Sequence, residues 1–442
     1  MIPTIFAPAT APGRGGVAIV RVSGPRAGDA LTILTGRSLP APRTAAVARL
    51  ADPRSGEFLD HGLVLWFPGP RSFTGEDVAE FHVHGGRAVV AGLIDALSAL
   101  EGFRIAEPGE FSRRGFENGK FDLTAAEAIA DLVDAETSAQ RRQALRQMEG
   151  ELGRLYEDWR HRLTHALAHL EADIDFPDED LPEGVSDQVR PVLESLIAGL
   201  RAHLDDKRRG ERLRDGIHIA ILGAPNAGKS SLLNALARRE AAIVSERAGT
   251  TRDVVEVHLD LGGYPVVLAD TAGLREAADE IESEGIRRAL ARAAQADLKL
   301  AVFDATSLPD LDAQTLAVVD EDTLVVLNKC DRVAPPEMTV GGRVALAVSA
   351  ATGNGLAELM ERLTAEVARR FEAPGVPALT RARHRSALEE CVGSLERALS
   401  APLPELAAED VRIAIRALGR ITGRVDVEDL LDVIFRDFCI GK

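Results

Sequence analysis

The sequence predicts a multidomain protein: an α+β N-terminal domain, then an α-helical domain, with an α/β domain of doubly wound, mostly parallel sheet inserted into the helical one. Its 442 residues suffice for about two to four domains. Residues 120–149 contain neither Gly nor Pro, which is typical of helix. From Ile217 onward, short apolar runs alternate with helical stretches, and this alternation indicates a parallel sheet.

The N-terminal domain is predicted to span residues 1–119. Short apolar runs at residues 17–22, 63–67 and 78–83 are separated by Gly and Pro clusters such as residues 12–16. Such runs, bounded by turn residues, predict strands.

The helical domain is predicted in two parts, residues 120–215 and 374–442, which flank an α/β domain at 216–373. The residues Thr124-Ala125-Ala126-Glu127 form a capping-box pattern, which predicts that one long helix starts there. Since the termini of inserted domains often lie close together, we expect the two helical parts to pack as one domain.

Composition excludes several classes of protein. Lys and Arg number 52 against 69 Asp and Glu, a net charge of −17, so a uniformly basic nucleic-acid coat is excluded and any RNA contact needs a local patch. Aromatic residues make up 4%, too few for a platform that stacks bases. Three cysteines and no apolar run near the length of a membrane span favour a soluble protein of the reducing cytoplasm, with no membrane partner.

A phosphate-binding loop follows the first strand of the α/β domain. An apolar strand at residues 219–222 leads into Gly223-Ala224-Pro225-Asn226-Ala227-Gly228-Lys229-Ser230, and then into a stretch compatible with helix. In this pattern backbone N–H groups surround phosphate, Lys229 reaches the β and γ phosphates, and Ser230 offers a hydroxyl to Mg²⁺. The nucleotide-binding residues predicted here are Asn226, Ala227, Gly228, Lys229, Ser230 and Ser231.

Three further segments follow predicted strands and indicate GTP. Asp270-Thr271-Ala272-Gly273 places a carboxylate where it can hold the outer shell of the metal and a glycine N–H near the γ phosphate. Asn328-Lys329-Cys330-Asp331 carries a carboxylate that can accept the N1–H and N2–H₂ groups of guanine, for which adenine has no matching donors. Ser349-Ala350-Ala351 fits a supporting base loop. Together the four elements predict a GTPase.

The group that positions the attacking water is not set by these motifs. Leu274 stands where Ras-like proteins carry a glutamine, and a leucine cannot orient water. Arg252 and Arg275 are the candidate catalytic arginines, although a monovalent cation could supply the missing charge instead. The downstream carboxylates that could position the water are Glu276, Glu280, Glu282 and Glu284.

Beyond these motifs, the chain resembles the bacterial tRNA-modification GTPase family known as MnmE or TrmE, almost from end to end. The residues that carry the resemblance are 7–10, 13–16, 19–24, 73–77, 108–111, 118–123, 126–132 and the terminal Phe438-Cys439-Ile440-Gly441-Lys442. The resemblance implies an N-terminal domain that binds formyl-tetrahydrofolate or a related one-carbon folate and forms a homodimer. It also implies a potassium-activated GTPase domain and a heterotetramer with the flavoprotein MnmG, which modifies the wobble uridine of certain tRNAs to 5-aminomethyl or 5-carboxymethylaminomethyl derivatives.

The resemblance also implies roles for residues of the GTPase domain. Glu282 would position the water through a second water, and Thr251 would join Ser230 on Mg²⁺, with Lys229, Arg252 and Asp270 completing the catalytic set. The K⁺ ligands implied are Asn226 of the phosphate loop together with Ser245, Arg247 and Thr250. The last three belong to a second nucleotide-binding loop of Ser245, Glu246, Arg247, Ala248, Gly249, Thr250 and Thr251. Ser245 and Arg247 depart from the Thr and the apolar residue that relatives commonly carry, which is harmless if the contacts are backbone carbonyls.

The folate contacts implied by the resemblance are Arg21, Glu80, Lys120 and Lys442. A cation suits the glutamyl carboxylates of folate, and a carboxylate suits the N–H pair of the pterin. Two alternatives stay open from the residues: a ribosome-assembly GTPase that binds rRNA, and a folate-dependent one-carbon enzyme regulated by GTP. Sequence does not specify the one-carbon donor, the tRNAs modified, the role of Cys439 or the coupling of hydrolysis to the uridine chemistry.

Overall fold

A computed structural model describes residues 2–175, 185–239, 256–270, 296–371, 377–425, 428–436 and 438–441. The chain forms two compact units, and each is described by itself. The first comprises residues 1–130, 146–198 and 387–442, and the second comprises residues 131–145 and 199–386.

A six-stranded sheet forms the N-terminal part of the first unit. Its strands are β1 Thr4–Pro8, β2 Gly15–Ser23, β3 Ala46–Ala51, β4 Phe58–Phe67, β5 Val78–Gly85 and β6 Phe103–Ile105. The order is β3-β4-β5-β2-β1-β6, antiparallel except for the parallel β1–β6 pair. Helices α1 Ala27–Thr35 and α2 Arg87–Ser98 bury the apolar side chains of one face, among them Val20 and Phe81. Because side chains alternate along a strand, Arg21 and Glu80 lie on the other face.

Long helices make up the rest of the first unit. They are α3 Glu110–Glu117, α4 Leu123–Asp134, α5 Ser138–Met148, α6 Glu151–Asp175 and α7 Val185–Leu204, and later α12 Ala382–Ser400, α13 Pro404–Thr422 and α14 Glu428–Arg436; α4, α5, α7 and α12 continue into the second unit. Helix α6 packs along α13 through buried residues spaced alternately by four and three: Leu152, Tyr156, Trp159, Leu163, Ala166 and Leu170. This spacing keeps one stripe of the helix facing its partner.

The single long helix expected from Thr124 is wrong in its start and its length. Asp122 caps α4, since its carboxylate accepts the backbone N–H of Ala125 at 2.8 Å and the hydroxyl of Thr124 at 2.8 Å. Helix α4 ends at Asp134, and α5 begins after a second cap. There Gln140 Oε1 accepts the Thr137 N–H at 3.0 Å while Thr137 Oγ1 accepts the Gln140 N–H at 3.4 Å, which is a capping box.

The second unit is built on a seven-stranded sheet, as the sequence predicted for the α/β domain. Its strands are β7 Ile217–Leu222, β8 Glu256–Leu261, β9 Tyr264–Asp270, β10 Leu298–Asp304, β11 Thr323–Asn328, β12 Thr339–Val340 and β13 Arg343–Ala347. The order is β12-β13-β11-β10-β7-β9-β8, and only β8 and β12 run antiparallel to their neighbours. Its helices include α8 Arg209–Asp215, α9 Lys229–Arg239, α10 Ala313–Ala317 and α11 Leu356–Phe371. The multidomain fold class, with a mostly parallel α/β sheet, is therefore confirmed.

Apolar layers cover both faces of this sheet. Helices α9 and α11 pack on one face through Leu232, Leu236, Leu359 and Leu363, and a smaller cluster that includes Phe303 lies on the other. Within the described ranges, no helix is both long and apolar enough to cross a membrane.

Candidate active site

The loop between β7 and α9 has the geometry of a phosphate cradle. Gly228 has a left-handed backbone with φ of 91°, and a Cβ atom there would overlap Asn328 Nδ2. Only glycine therefore lets the loop approach the side chain of Asn328, at the end of β11, so closely. The loop leads directly into the first turn of α9, whose N–H groups and dipole favour an anion.

Lys229 lies over this loop. Its ammonium donates to the carbonyl oxygens of Gly223 at 2.7 Å and Ala224 at 2.9 Å, and the residue is 7% exposed. The charge is thus held at the loop and not in solvent. Ser230 and Ser231 are exposed in the first turn of α9, and Ala227 is buried beneath the loop. This donor set, backbone N–H groups with one lysine and an exposed serine, fits a polyphosphate with its metal.

The guanine-reading loop is fastened to the phosphate loop. Asn328, at the end of β11, donates through Nδ2 to the Ala227 carbonyl at 2.9 Å and accepts the Ala350 N–H through Oδ1 at 3.1 Å. The hydroxyl of the buried Ser349 donates to Asp331 Oδ1 at 2.6 Å. That bond orients the exposed carboxylate of Asp331 and still leaves a lone pair on each of its oxygens for a base, while Ala351 follows at the surface.

Lys329, in the same loop, has a partner that the sequence motifs did not indicate. Its ammonium lies 2.6 Å from Asp304 Oδ2, and its backbone is left-handed with φ of 66°. Asp304 ends β10 and belongs to no recognised motif. The parallel register that sets Asp304 beside Asn328 creates this contact, and sequence spacing carries no signal for it.

The remaining predicted nucleotide and metal residues fall into two groups. Asn226 is exposed with a left-handed φ of 65°, and the backbone of Asp270 ends β9 in register with Ile221. The others lie outside the described residues: Ser245, Glu246, Arg247, Ala248, Gly249, Thr250, Thr251, Arg252, Thr271, Ala272, Gly273, Leu274, Arg275, Glu276, Glu280, Glu282 and Glu284.

In the first unit, two of the predicted folate residues form an ion pair across neighbouring strands. Arg21 on β2 lies opposite Glu80 on β5, and its Nε donates to Glu80 Oε1 at 3.0 Å. The guanidinium lies 5.4 Å from the ring centre of Phe73 and 5.9 Å from that of Phe111. The partly exposed ring of Phe73 can contact a flat heterocycle with polar edges, whereas the ring of Phe111 is fully buried. The carboxylate of Glu80 keeps lone pairs beyond those that Arg21 uses.

His82 is a further residue at this pair that the sequence analysis missed. Its Nε2 lies 3.0 Å from Glu80 Oε2, so both carboxylate oxygens of Glu80 have a partner, Arg21 at Oε1 and His82 at Oε2. The two-residue spacing on a strand is the signal that could have indicated it, because residues 80 and 82 share a face.

The other two predicted folate residues are Lys120 and Lys442. Lys120 is exposed and donates to the Pro70 carbonyl at 2.8 Å, and Lys442 lies outside the described residues. The tail before it docks on the N-terminal sheet. A Cβ at Gly441 would overlap the Pro8 carbonyl, and Pro8 is one residue along β1 from Ala7, which pairs with Arg21.

Comparison with known proteins gives matches along the whole chain. The profile of the MnmE helical domain matches residues 123–439, and the profile of the GTP-binding protein TrmE N-terminus matches residues 4–120. The tRNA modification GTPase MnmE of Paramagnetospirillum magneticum is 61% identical over 443 residues, covering 100% of both chains. That of Rhodospirillum rubrum is 61% identical over 454 residues, again covering 100% of both.

A relative from an animal is also similar over nearly the full length. The mitochondrial 5-taurinomethyluridine-tRNA synthase subunit GTPB3 of Danio rerio is 49% identical over 466 residues, which cover 99% of this chain and 93% of the relative.

Proposed function

The chain belongs to the tRNA-modification GTPase MnmE family and is a GTPase, and we propose that it acts with a flavoprotein of the MnmG kind, in a heterotetramer, on the wobble uridine of certain tRNAs. The product would be a 5-aminomethyl or 5-carboxymethylaminomethyl uridine. The name of the Danio rerio relative supports carbon 5 of uridine as the modified position. The three free cysteines suit a reducing cytoplasm, where we place this activity.

The observation that carries the nucleotide assignment is the base-reading loop bonded to the phosphate loop. Asn328 joins the two through the Ala227 carbonyl, and Ser349 aims the carboxylate of Asp331. Guanine is selected because adenine would leave that carboxylate without donors, and an unpaired charge at a binding site is costly.

For hydrolysis, we infer that the loop residues hold the triphosphate while Glu282 orients the attacking water. Lys229 would contact the β and γ phosphates, and Ser230 and Thr251 would hold Mg²⁺, with Asp270 in its outer shell. Bound Mg²⁺ neutralises charge that develops on the phosphate oxygens. A Glu282→Ala variant is expected to lower kcat with little change in KM, and an unchanged kcat would return the role to another carboxylate.

Potassium activation is inferred from family resemblance through Asn226, Ser245, Arg247 and Thr250. A monovalent cation held there would supply the charge that an arginine finger supplies in other GTPases. We expect GTP turnover to be faster in KCl than in NaCl at equal ionic strength. Equal rates in the two salts would contradict potassium activation and favour Arg252 or Arg275 as the source of charge.

The first unit is proposed to bind formyl-tetrahydrofolate or a related one-carbon folate. Support comes from the Arg21–Glu80 pair beside Phe73 and Phe111. It also comes from the C-terminal tail, which contacts Pro8, one residue along β1 from the residue that pairs with Arg21. Lys120 and Lys442 would add cations for the glutamyl carboxylates. We expect Arg21→Ala to lose folate binding, as measured by calorimetry. Unchanged binding would contradict the proposed folate site.

A second copy of the chain is the occupant we propose for the open face of the N-terminal sheet. Three apolar side chains on this face are strongly exposed: Val17 (60%), Val47 (66%) and Leu63 (41%). Val47 pairs with Leu63, which pairs with His82, so the exposed row crosses adjacent strands. Val47 and Leu63 thus form an exposed apolar pair on adjacent strands, and an exposed apolar patch favours an interface. The homodimer also fits the family.

Nucleoside analysis by mass spectrometry tests the proposed function as a whole. In tRNA from cells that lack this protein, we expect the aminomethyl-type derivatives of wobble uridine to be lost. The wild-type chain and Asp310→Ala, an exposed control in the same unit, should restore them, whereas Asp270→Ala should not. Unchanged nucleosides would contradict the tRNA assignment and favour ribosome assembly. Folate turnover without tRNA would instead favour a folate enzyme regulated by GTP.

A further inference from the structure

The carboxylate of Asp304 lies at the carboxyl end of β10, beside the base-reading loop. Its Oδ2 is 2.6 Å from the ammonium of Lys329. Its Oδ1 accepts the backbone N–H of Thr306 at 2.9 Å and the Thr306 hydroxyl at 2.7 Å. Both oxygens are therefore engaged, and the carboxylate has a fixed direction.

Lys329, the other member of this ion pair, lies in the chain between Asn328 and Asp331, which have different roles in the loop. Asn328 fastens the loop to the phosphate loop, and Asp331 carries the acceptor for guanine. Lys329 connects them through a left-handed backbone, a conformation that a long side chain rarely adopts without support. The ion pair supplies that support and fixes the path of the four-carbon stem.

The pair is partly shielded from water, with about a fifth of each side chain exposed. Burial alone would raise the pKa of Asp304, but the hydrogen bonds from Lys329 and Thr306 outweigh it and hold the pKa below its usual value. The carboxylate is thus charged wherever the GTPase works.

We propose that Asp304 is a positioning residue for guanine nucleotides, which acts by holding Lys329 so that the stem of Lys329 lies along the base site. We expect Asp304 to affect nucleotide affinity and not the rate of phosphoryl transfer, because it contacts Lys329 of the base-reading loop. The effect applies to GTP and GDP alike, since both carry the same base and ribose.

Strand β10 offers a matched control at its other end. Lys299 forms an ion pair with Asp320, and Thr323 donates its hydroxyl to Asp320 Oδ1 at 2.8 Å. This Asp–Lys–Thr arrangement repeats that of Asp304 but lies at the amino end of the strand, away from the loop. Asp320→Asn therefore removes the same kind of ion pair without touching the base site.

The test measures nucleotide affinity of the full chain with fluorescent GDP and GTP analogues, together with steady-state GTP hydrolysis. For Asp304→Asn, we expect Kd for both nucleotides and KM for GTP to rise about five- to tenfold, with kcat at saturating GTP unchanged. Asp320→Asn should leave Kd and KM at wild-type values. Thr306→Val, which removes one bond to the carboxylate, should give a smaller rise in Kd.

A comparison of GDP with IDP separates positioning from collapse of the loop. Inosine lacks the N2 amino group that Asp331 reads, so the GDP/IDP affinity ratio reports on Asp331 itself. The ratio should be unchanged in Asp304→Asn. Unchanged Kd values, a fall in kcat at saturation, an equal effect of Asp320→Asn or a lost GDP/IDP preference would each overturn the proposal.

Discussion

At the scale of single residues, Asp331 is the group on which we propose that base selection depends. Replacing it with asparagine exchanges one acceptor oxygen for an NH₂ donor, which no longer matches the N2–H₂ of guanine but does match the C2 carbonyl of xanthine. For Asp331→Asn, we expect kcat/KM for GTP to fall about 10²- to 10³-fold and XTP hydrolysis to appear. Steady-state rates with GTP and XTP measure both changes.

Asp310→Asn, an exposed aspartate of the same unit, is the control and should keep the GTP preference. If Asp331→Asn lost both nucleotides equally, the loop would have collapsed. If it kept wild-type GTP turnover, Asp331 would not be the base reader.

His82 provides a second prediction, which rests on the proposed folate site. The Nε2–H tautomer donates to Glu80 Oε2 and so holds the carboxylate beside Arg21. His82→Leu should weaken binding of formyl-tetrahydrofolate about tenfold, and His82→Gln, which keeps an N–H donor, should restore part of it. Isothermal calorimetry measures the affinities.

His84, two residues along the same strand, is the matched control because its ring pairs with Asp60 and not with Glu80. His84→Leu should leave the folate affinity unchanged. Equal losses in the two variants, or none in His82→Leu, would contradict the role of His82.

The residues that sequence reasoning found and those that it missed differ in how their contacts arise. The phosphate loop and the Asn328–Asp331 loop are contiguous segments, so their chemistry can be recognised along the chain. Asp304 contacts Lys329 only because β10 and β11 lie side by side in one register. The two residues are 25 positions apart in the chain, and no contiguous motif contains both.

At the scale of elements, the break between α4 and α5 shows a limit of local patterns. Thr124 and Glu127 have capping-box spacing, yet Asp122 caps the helix, and the true box uses Thr137 and Gln140. Both sets satisfy the spacing rule, so the spacing alone does not show which of them forms a capping box. The strand predicted at residues 219–222 lies within β7, because its apolar run is bounded by turn residues, whereas β8 and the two-residue β12 were not predicted.

Near the end of α7, His203 predicts a dependence of stability on pH. The residue is 6% exposed, and burial lowers its pKa to about 4, with Asp206 raising it and Arg385 lowering it further. Unfolded, histidine titrates near 6.5, so between about pH 6.5 and pH 4 the unfolded chain binds a proton that the folded chain does not. The free energy of unfolding should fall by up to about 3 kcal/mol as the pH drops through this window.

Thermal unfolding of wild type and His203→Gln between pH 7 and pH 4 measures this effect as a difference. The variant should lose the histidine part of the pH dependence, whereas His161→Gln, an exposed histidine of α6, should keep it. Parallel profiles for wild type and His203→Gln would contradict the assignment.

At the scale of the whole molecule, the fold class could be predicted and the arrangement of the N-terminal sheet could not. Alternating strands and helices suffice to predict a parallel α/β sheet. The order β3-β4-β5-β2-β1-β6 depends on β6, three residues that run parallel to β1. A strand of three residues is too short to show a periodic pattern in the sequence. The sequence likewise has no pattern that predicts which face of the sheet is left uncovered by helices.

That open face leads to the last prediction, which concerns the proposed homodimer. Leu63→Glu places a carboxylate beside the exposed Val47 on this face, where a second copy of the chain would bury it without a partner. Burying an unpaired charge costs several kcal/mol, so the dimer should weaken by about a hundredfold or more. Sedimentation equilibrium at micromolar concentration should then give the mass of one chain for Leu63→Glu and of two chains for wild type. The control is Leu316→Glu, at a leucine of the second unit that is 39% exposed, and it should stay dimeric. A monomeric wild type would contradict the proposed homodimer. A dimeric Leu63→Glu would contradict the assignment of the interface to this sheet face.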